Sequence, residues 1–477
     1  MNNNCKILIL YENKKFEGAI KYTFDLVMNI LGLEYEISSF DKYDSSNLSE
    51  KLIIGYGRKN PQINSAHQIH ICESELFWDN YLTPLSLPET PLNKYFDLPI
   101  IYQGTEKIES HIKNLNNSIE TDIDIVASSF FMVARYEEII LKDRDKYDRF
   151  PATASLAYKE KFLDRPIVNE YIELLWKWID SFNLGFKRKK IWNDKNFAVC
   201  LTHDIDEIFK HKRPPIFSMA RSIKEKNIKK AATIFFDYLK TKLRLKEDPY
   251  YNAFDYITNL EKKYGFRSSF YFMTDGEQYS LKNKKVKNLI AKFKKEEFEI
   301  GIHPGFNEFN DIKILKSKKQ ELEKILGEKI LGGRQHYLKW KIPESWKIWE
   351  EAELEYDATL GFAEYEGFKC GICHPFKPFD IQNNKVINIF EIPLIVMEGT
   401  LTTYRKLSPQ SSLEILSKLL STVEKYSGVF VFLWHNSFMT DLFTPEWKKC
   451  FENFYKIISQ KNCSVVSAKT MLNLWKK

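Results

Sequence analysis

Two acidic residues separated by a single position, Asp204 and Asp206, follow an apolar run at 197–201. Residues i and i+2 of an extended chain point the same way, so both carboxylates can face one pocket. Two like charges this close oppose each other's ionisation unless a cation lies beside them. The pair therefore predicts a metal site, and the competing interpretation is a turn in which one aspartate caps the next helix.

Two histidines far apart in the chain occupy the same kind of position. His303 follows the apolar run 299–302, and His435 follows the apolar run 429–434. Imidazole is a common metal ligand and, when protonated, a general acid. A single histidine after a strand is just as typical of a hydrogen-bonded core group, but the aspartate pair favours a role in chemistry for both.

The elements that must position these residues alternate along the second half of the chain. We predict strands separated by helices at 197–201, 268–273, 299–302, 330–332, 387–396, 429–434 and 465–467. Such alternation indicates parallel strands joined by right-handed crossovers. Six or seven such units without a glycine-rich phosphate-binding motif favour a closed barrel, in which reactive residues lie beyond the carboxyl ends of the strands.

The first part of the chain contains fewer and shorter apolar runs. Strands are predicted at 6–10, 53–54 and 67–72, and helices at 124–141 and 168–182. A polar, lysine-rich stretch then precedes the strand that begins at 197. We therefore predict an α/β protein with a smaller α/β domain over 1–190 and a second domain over 191–477, and we assign chemistry only to the second domain.

The composition argues against several classes of protein. The net charge of +7 is modest for 477 residues, and the lysines alternate with apolar residues as on solvated helix faces, so no nucleic-acid partner is expected. No stretch is apolar enough for a transmembrane helix, and the N-terminus lacks signal-peptide features. Seven cysteines, with only Cys370 and Cys373 closely spaced, suit a reducing compartment. We expect a cytoplasmic protein, and its oligomeric state stays open.

Five stretches in the second half, taken in order, carry a resemblance to a known family. They are LTHDID, EIGIHPG, GGRQHY, YDATLGFAEYEGF and FLWHNS. Together they resemble the motifs of polysaccharide deacetylases of the NodB-homology, carbohydrate esterase type, over residues 197–477. The resemblance implies a deformed (β/α)7-type barrel. The first part of the chain is similar to an uncharacterised domain that precedes this barrel in one bacterial subgroup, so it adds no function.

The resemblance implies a catalytic role for four residues and a tuning role for a fifth. Asp204 matches the catalytic base, and Arg334 matches the arginine that orients this base. Tyr337 matches the tyrosine whose backbone N–H helps to hold the oxyanion. His435 matches the general acid, and Asp357 lies near the motif that tunes this histidine.

The resemblance also implies a divalent metal ion, with zinc as the expected ion, held by Asp206 and His303. The family places a second histidine four residues after the first, where this sequence has Asn307. An asparagine oxygen suits harder ions than zinc. Three outcomes stay open: Asn307 is a weak ligand, His336 replaces the missing histidine, or the site holds no metal.

The function that follows from the resemblance is metal-dependent hydrolysis of a carbon–nitrogen bond. The expected substrate is an N-acetylated sugar or glycan precursor, from which the enzyme would remove the acetyl group. Two alternatives remain: a non-catalytic glycan-binding or scaffold protein with the same fold, and a hydrolase that acts on a non-sugar C–N bond.

Overall fold

The structure is a computed structural model that describes residues 6–476 apart from 44–47, 49–50, 61–62 and 64. Up to residue 194 the elements are β1 (Lys6–Tyr11), α1 (Glu17–Leu31), β2 (Tyr35–Ser39), β3 (Lys51–Gly57), β4 (His67–Cys72), β5 (Asn93–Tyr95), β6 (Leu98–Ile100), β7 (Ile112–Leu115), β8 (Ser118–Thr121), α2 (Ile125–Val133), α3 (Tyr136–Ile140), α4 (Leu156–Lys159) and α5 (Ile167–Ser181).

The middle of the chain continues this series. From 195 to 339 the elements are β9 (Phe197–Ile205), α6 (Ile216–Lys224), α7 (Ile228–Lys242), α8 (Pro249–Tyr264), β10 (Ser269–Met273), α9 (Lys284–Lys295), β11 (Glu299–His303), α10 (Ile312–Leu326) and β12 (Gly332–Gly333). From 340 to 395 they are α11 (Glu344–Glu351), β13 (Tyr356–Asp357), β14 (Phe379–Asp380), β15 (Lys385–Val386) and β16 (Phe390–Glu391).

The last stretch contains β17 (Val396–Met397), α12 (Pro409–Lys425), β18 (Val429–Leu433), α13 (Pro445–Ser459), β19 (Cys463–Val466) and α14 (Ala468–Trp475). Among the described residues, no helix combines the length and the apolar character needed to cross a membrane.

The chain forms two compact units, and neither is continuous in sequence. The first unit comprises Met1–Asp194 and Trp340–Ile395, and the second comprises Lys195–Lys339 and Val396–Lys477. The predicted division at 190/191 lies close to the first boundary, but it keeps 340–395 with the second half. Because compactness does not show which segments fold independently, the predicted domain division stays a prediction.

The first unit is built on a sheet with the strand order β2-β1-β3-β4-β8-β7, parallel except for the antiparallel pair β7–β8. Strands β1 and β3 are buried at almost every residue, as expected of parallel strands covered on both faces. The pairs β5–β6, β14–β15 and β13–β16 also belong to this unit. The described residues of this unit thus contain both helices and a largely parallel sheet, and the smaller α/β domain over 1–190 stays a prediction.

The predicted helix at 124–141 is broken in the middle. Arg135 has a left-handed backbone with φ of 53°, so α2 ends before it and α3 starts after it. Its guanidinium is buried and pairs with Glu137 at 3.1 Å and Glu138 at 2.8 Å. Apolar periodicity continues across the break, and for that reason the sequence pattern gives no sign of it.

The second unit is built on seven parallel strands in the order β12-β11-β10-β9-β18-β17, with β19 also paired to β9. All nine residues of β9 are buried, so this central strand continues four residues past the predicted run. The protein is thus a mixed α/β protein with a curled parallel sheet. Closure into a deformed (β/α)7-type barrel stays a prediction.

Candidate metal and catalytic site

The carboxyl end of β9 positions both aspartates of the predicted pair. Asp204 is buried within the strand, whereas the Asp206 side chain, just beyond it, is 31% exposed. The Tyr279 hydroxyl donates to the Ile205 carbonyl at 2.7 Å and accepts the Met273 N–H at 2.7 Å, which fixes the end of the strand against β10. The backbone that carries the two carboxylates is therefore held in place.

His203, between the predicted apolar run and the aspartates, belongs to the core instead. Its Nδ1 lies 2.7 Å from the Trp434 carbonyl, and its Nε2 lies 3.0 Å from the Glu261 carboxylate. The imidazole also stacks on Phe270, with ring centroids 4.8 Å apart. Alternation along the strand turns His203 away from the face that Asp204 uses.

His303, at the end of β11, faces both aspartates through one nitrogen. Its Nδ1–H donates to the Arg334 carbonyl at 2.6 Å, which directs Nε2 towards the aspartates. This Nε2 lies 3.1 Å from Asp206 Oδ1 and 3.8 Å from Asp204 Oδ2. The arrangement is that of a ligating histidine held by a carbonyl on its second nitrogen.

His336 completes a group of three candidate ligands with Asp206 and His303. The donor atoms of these residues all lie within 4.8 Å of one another. The backbone N–H of His336 donates to the Pro304 carbonyl at 3.1 Å, and the side-chain amide of Gln335 donates to the same carbonyl at 3.0 Å. These bonds hold the loop after β12 against the loop after β11, which brings the two histidines together.

The donor set fits a divalent ion. Asp206 Oδ1 and His303 Nε2 are buried and have no hydrogen bond of acceptable geometry to any described residue. Buried polar atoms without partners are uncommon and unfavourable, so a missing ligand is a natural explanation. Burial lowers the pKa of His336 to about 4, which keeps this imidazole neutral and able to bind. One carboxylate and two imidazoles are typical zinc ligands.

Asn307 is an exposed residue on the turn after β11. Its side-chain amide donates to the Glu277 carboxylate at 3.5 Å. Among the described residues, no hydrogen bond joins this amide to Asp206, His303 or His336. A ligand role for Asn307 stays a prediction.

Arg334 is buried beside Asp204. Its NH1 donates to Asp204 Oδ1 at 2.8 Å and to the Thr202 hydroxyl at 2.9 Å, and its guanidinium lies over the Tyr271 ring. Burial opposes the charge, but the Asp204 carboxylate outweighs it and raises the pKa of Arg334. This charge-assisted pair fixes the orientation of Asp204 and leaves its Oδ2 turned towards His303.

His435, after β18, is held by a residue that sequence analysis missed. Its Nδ1 lies 2.5 Å from Glu398 Oε1, and its Nε2 lies 3.5 Å from Asp206 Oδ2. Burial lowers the pKa of His435, but Glu398 and then Asp206 outweigh it, and the pKa rises to about 10. Asp357 lies in β13, where its carboxylate accepts the Thr359 hydroxyl, and a tuning role for it stays a prediction.

Glu398 carries a signal that the sequence does contain. It follows the apolar run that ends at Met397, as the Asp204–Asp206 pair follows the apolar run at 197–201. Burial works to raise the pKa of Asp206, but His435 and then His303 outweigh it and hold the pKa well below its usual range. Asp206 is therefore a carboxylate surrounded by imidazoles.

Tyr337 lies at the edge of the site. Its backbone is left-handed, with φ of 63°, and its side chain is 41% exposed. The ring centroid lies 4.3 Å from that of His336 and 5.5 Å from that of Phe306. Left-handed backbone at a non-glycine residue is uncommon and concentrates at functional sites. An oxyanion role for its backbone N–H stays a prediction.

Comparisons with known proteins give the following similarities. Residues 8–183 match the model of a family of unknown function, DUF7033. No curated protein matches the chain. Among solved structures, it is similar to a protein from Mycobacterium smegmatis assigned as a polysaccharide deacetylase, with 13% identity and a TM-score of 0.40 over 59% of this chain and 91% of that one.

Two further structures show a similar extent of similarity. One is the Puue allantoinase, with 12% identity and a TM-score of 0.41 over 59% of this chain and 91% of that one. The other is a protein from Pseudomonas aeruginosa assigned as a polysaccharide deacetylase, with 10% identity and a TM-score of 0.41 over 61% of this chain and 95% of that one.

Proposed function

We propose that the second unit is a metal-dependent hydrolase that removes the acetyl group from an N-acetylated sugar or glycan precursor. One observation carries the proposal: the donor atoms of Asp206, His303 and His336 lie within 4.8 Å of one another, beside two further groups suited to proton transfer. These are Asp204, held by Arg334, and His435, held by Glu398. The motif resemblance supplies the substrate class.

Asp206, His303 and His336 would hold the metal ion. A bound divalent ion would polarise the substrate carbonyl and make water a stronger acid at neutral pH. The carbonyl on His303 Nδ1 and the bonds that anchor the His336 loop keep both imidazoles in position. Such supporting contacts typically decide how tightly a metal is held.

Asp204 would act as the general base. Arg334 occupies its Oδ1, so Oδ2 is the oxygen that remains to accept a proton from water. The residue is 3% exposed, so few water molecules can compete for this oxygen. A positioned base of this kind contributes roughly 10²–10⁴-fold to a rate.

His435 would act as the general acid. The Glu398 carboxylate fixes its Nδ1–H and, with Asp206, holds the imidazole as a cation at neutral pH. Its Nε2–H therefore faces the site and can be donated to the leaving amine. Glu398 acts here through His435, as a positioning residue.

Acetate release from a panel of N-acetylated sugars tests the proposal. Asp204→Asn should lower the rate roughly 10²–10⁴-fold, because the base is lost while the ligand group stays intact. A strong chelator should abolish the activity, and added divalent metal should restore it. The exposed Asp441→Asn is the matched control and should keep the wild-type rate.

Other outcomes would point to the alternatives. Release that survives both the chelator and Asp204→Asn would exclude this mechanism. Hydrolysis of non-sugar amides alone would contradict the carbohydrate assignment. A purified protein that binds glycans but holds no stoichiometric metal would favour the non-catalytic alternative. This alternative is considered because Asn307 stands where the family has its second histidine.

A further inference from the structure

The segment 209–247, which lies between β9 and α8 and contains α6 and α7, is strongly basic. It holds twelve lysines and arginines against three acidic residues, a net charge of +9 in a chain whose total is +7. We refer to this segment as the helical hairpin. The rest of the chain is thus slightly acidic, and the positive charge of the protein is concentrated here.

Most of this charge is not neutralised by the hairpin or its surroundings. Within the described part of the chain, only Arg221 and Lys246 have carboxylate partners, Glu225 and Asp237. The other cations face solvent or bond neutral groups. A charge of this size without counterions in the protein attracts an anionic partner over about a Debye length, roughly 10 Å in dilute salt.

Helix α7 has two apolar faces, and only one of them is buried against described residues of the unit. Ala231 and Ile234 are buried. The adjoining face carries exposed apolar side chains at helical spacing: Ile228, Phe235, Phe236, Leu239 and Leu243. At the usual 3.6 residues per turn these five cover an arc of about 100°. A stripe of this width is what a helix normally buries.

Helix α6 repeats the pattern. Ile216, Phe217 and Ile223 share one face and are 67%, 92% and 56% exposed. Nine of the fifteen large apolar side chains that are exposed in the described residues lie in the hairpin. Single exposed apolar residues are ordinary, but a concentration of this kind marks an interaction surface.

We propose that the helical hairpin docks on the surface of an anionic phospholipid bilayer. The exposed apolar faces would enter the boundary between headgroups and acyl chains, and the flanking lysines, such as Lys229, Lys240 and Lys242, would contact the phosphates. A second copy of the chain would bring two hairpins of like charge together. A nucleic acid offers phosphates but no apolar phase for isoleucine and leucine.

A cleft at the base of the hairpin supports an anionic headgroup as ligand. It has a volume of about 520 Å³ and is lined by Lys212, Arg213 and Phe217 of the hairpin and by Glu207, which directly follows Asp206. Its lining thus combines cations and a phenyl ring, as a phosphate attached to an acyl chain requires, with two carboxylates, Glu207 and Glu277. The proposal concerns binding alone and stands independently of the proposed hydrolase.

Co-sedimentation of the full chain with phospholipid vesicles tests the proposal. Vesicles of phosphatidylcholine with about one-third phosphatidylglycerol should bind the protein at low salt, and pure phosphatidylcholine vesicles should bind it far less. Raising the salt concentration should weaken the binding. No activity assay is needed, so failure here is distinct from failure of the proposed function.

Two sets of variants separate the apolar and the charged contributions. The combined Phe217→Ser, Phe235→Ser and Phe236→Ser variant should lower vesicle affinity at least about tenfold. Lys229→Gln, Lys240→Gln and Lys242→Gln should each lower it by about fivefold. The controls lie outside the hairpin, at exposed Lys284, Lys287 and Lys295 of α9, each changed to Gln, and at exposed Leu85 and Phe96, each changed to Ser.

Three results would overturn the proposal. The wild type fails to bind anionic vesicles at low salt, or the control variants lose as much affinity as the hairpin variants. Alternatively, light scattering shows a wild-type dimer that the triple Phe→Ser variant loses, with no vesicle binding, which would assign the apolar faces to a second copy of the chain. Far-UV circular dichroism of each variant verifies that α6 and α7 remain folded.

Discussion

Both units place acidic side chains at the carboxyl ends of parallel strands, but they surround them with different partners. In the second unit, Asp204 and Asp206 face cationic or imidazole groups: Arg334 lies 2.8 Å from the first, and His303 lies 3.1 Å from the second. Asp206 is also partly exposed, so a ligand can reach it. These are the features of a reactive site.

In the first unit the comparable groups accept hydrogen bonds from neutral donors, and Glu73 Oε2 has no hydrogen bond to a described residue. Asp124, after β8, accepts the backbone N–H groups of Ala127 at 2.8 Å and Ser74 at 2.7 Å, and the Tyr56 hydroxyl at 3.1 Å. Glu73, after β4, accepts the Asn13 amide at 3.0 Å. Both carboxyl groups are fully buried. Asp124 caps α2, which is a structural role.

A position at the end of a strand is therefore not sufficient to make a reactive site. Position brings an acidic side chain to the edge of a sheet in either unit. Chemistry requires, in addition, a partner that leaves one polar atom uncommitted and a path for the substrate. Asp206 Oδ1 and His303 Nε2 meet the first requirement, and the partial exposure of Asp206 meets the second.

The loss of a metal ligand should have the largest effect on activity. His303→Ala should reduce the metal content of the purified protein from stoichiometric to background, and hydrolysis with it, because the two remaining donors, Asp206 and His336, cannot hold the ion alone. Elemental analysis after dialysis measures this. His70→Ala, which removes a buried imidazole from β4 of the first unit, is the control and should leave the metal content unchanged. Equal loss from both variants would contradict a localised site.

A smaller effect is expected at Glu398, which acts through His435. Glu398→Gln keeps a hydrogen-bond acceptor for Nδ1–H but removes the charge, and the rate should fall by about 10–100-fold. We expect kcat to fall with KM and metal content unchanged, and Glu398→Asp to recover part of the rate. Steady-state kinetics measure both.

A buried histidine–glutamate pair in the same unit provides the control for Glu398. Glu261 lies 3.0 Å from His203 Nε2, but this imidazole faces the core. Glu261→Gln should lower stability without a selective change in kcat. If both variants changed kcat alike, Glu398 would have no specific part in positioning His435.

The sequence predicts the strands of the site well because buried parallel strands are continuous apolar runs. The runs at 299–302 and 429–434 are found in the structure as Glu299–His303 and Val429–Leu433. The predicted strand at 387–396 is wrong as a single element, since it divides into Phe390–Glu391 and Val396–Met397. Glu398 was missed because the predicted strand ended at 396, whereas the observed strand ends at Met397, directly before Glu398.

Other features depend on contacts that spacing does not encode. The choice between Asn307 and His336 depends on the path of the loop after β12, which a hydrogen bond to the Pro304 carbonyl fixes. Helices α6 and α7 were not predicted, because apolar residues on two faces and many lysines obscure the usual single stripe. Resemblance to a family therefore identified the residues of the site more fully than periodicity did.

The smallest effect on activity is expected for a change in the first unit, where stability is measured instead. Burial raises the pKa of Glu73 to about 8, and the nearby Asp124 and Glu12 carboxylates add to this, whereas the Asn13 amide and Arg58 oppose it. The folded protein then keeps the Glu73 proton at pH values where the unfolded chain, with an ordinary pKa of 4.5, releases it. The stabilisation is complete below pH 4.5 and is lost as the pH rises towards 8.

Glu73→Gln should remove this pH dependence. The free energy of unfolding of the wild type relative to the variant should fall by at most about 1.4 kcal/mol per pH unit through that window and stay constant above it. Urea unfolding at several pH values measures the difference. Glu75→Gln changes an exposed carboxylate two residues away and is the control for the substitution itself. A constant difference for Glu73→Gln would mean that the first unit holds an ionised carboxylate, and the contrast between the two units would then rest on accessibility alone.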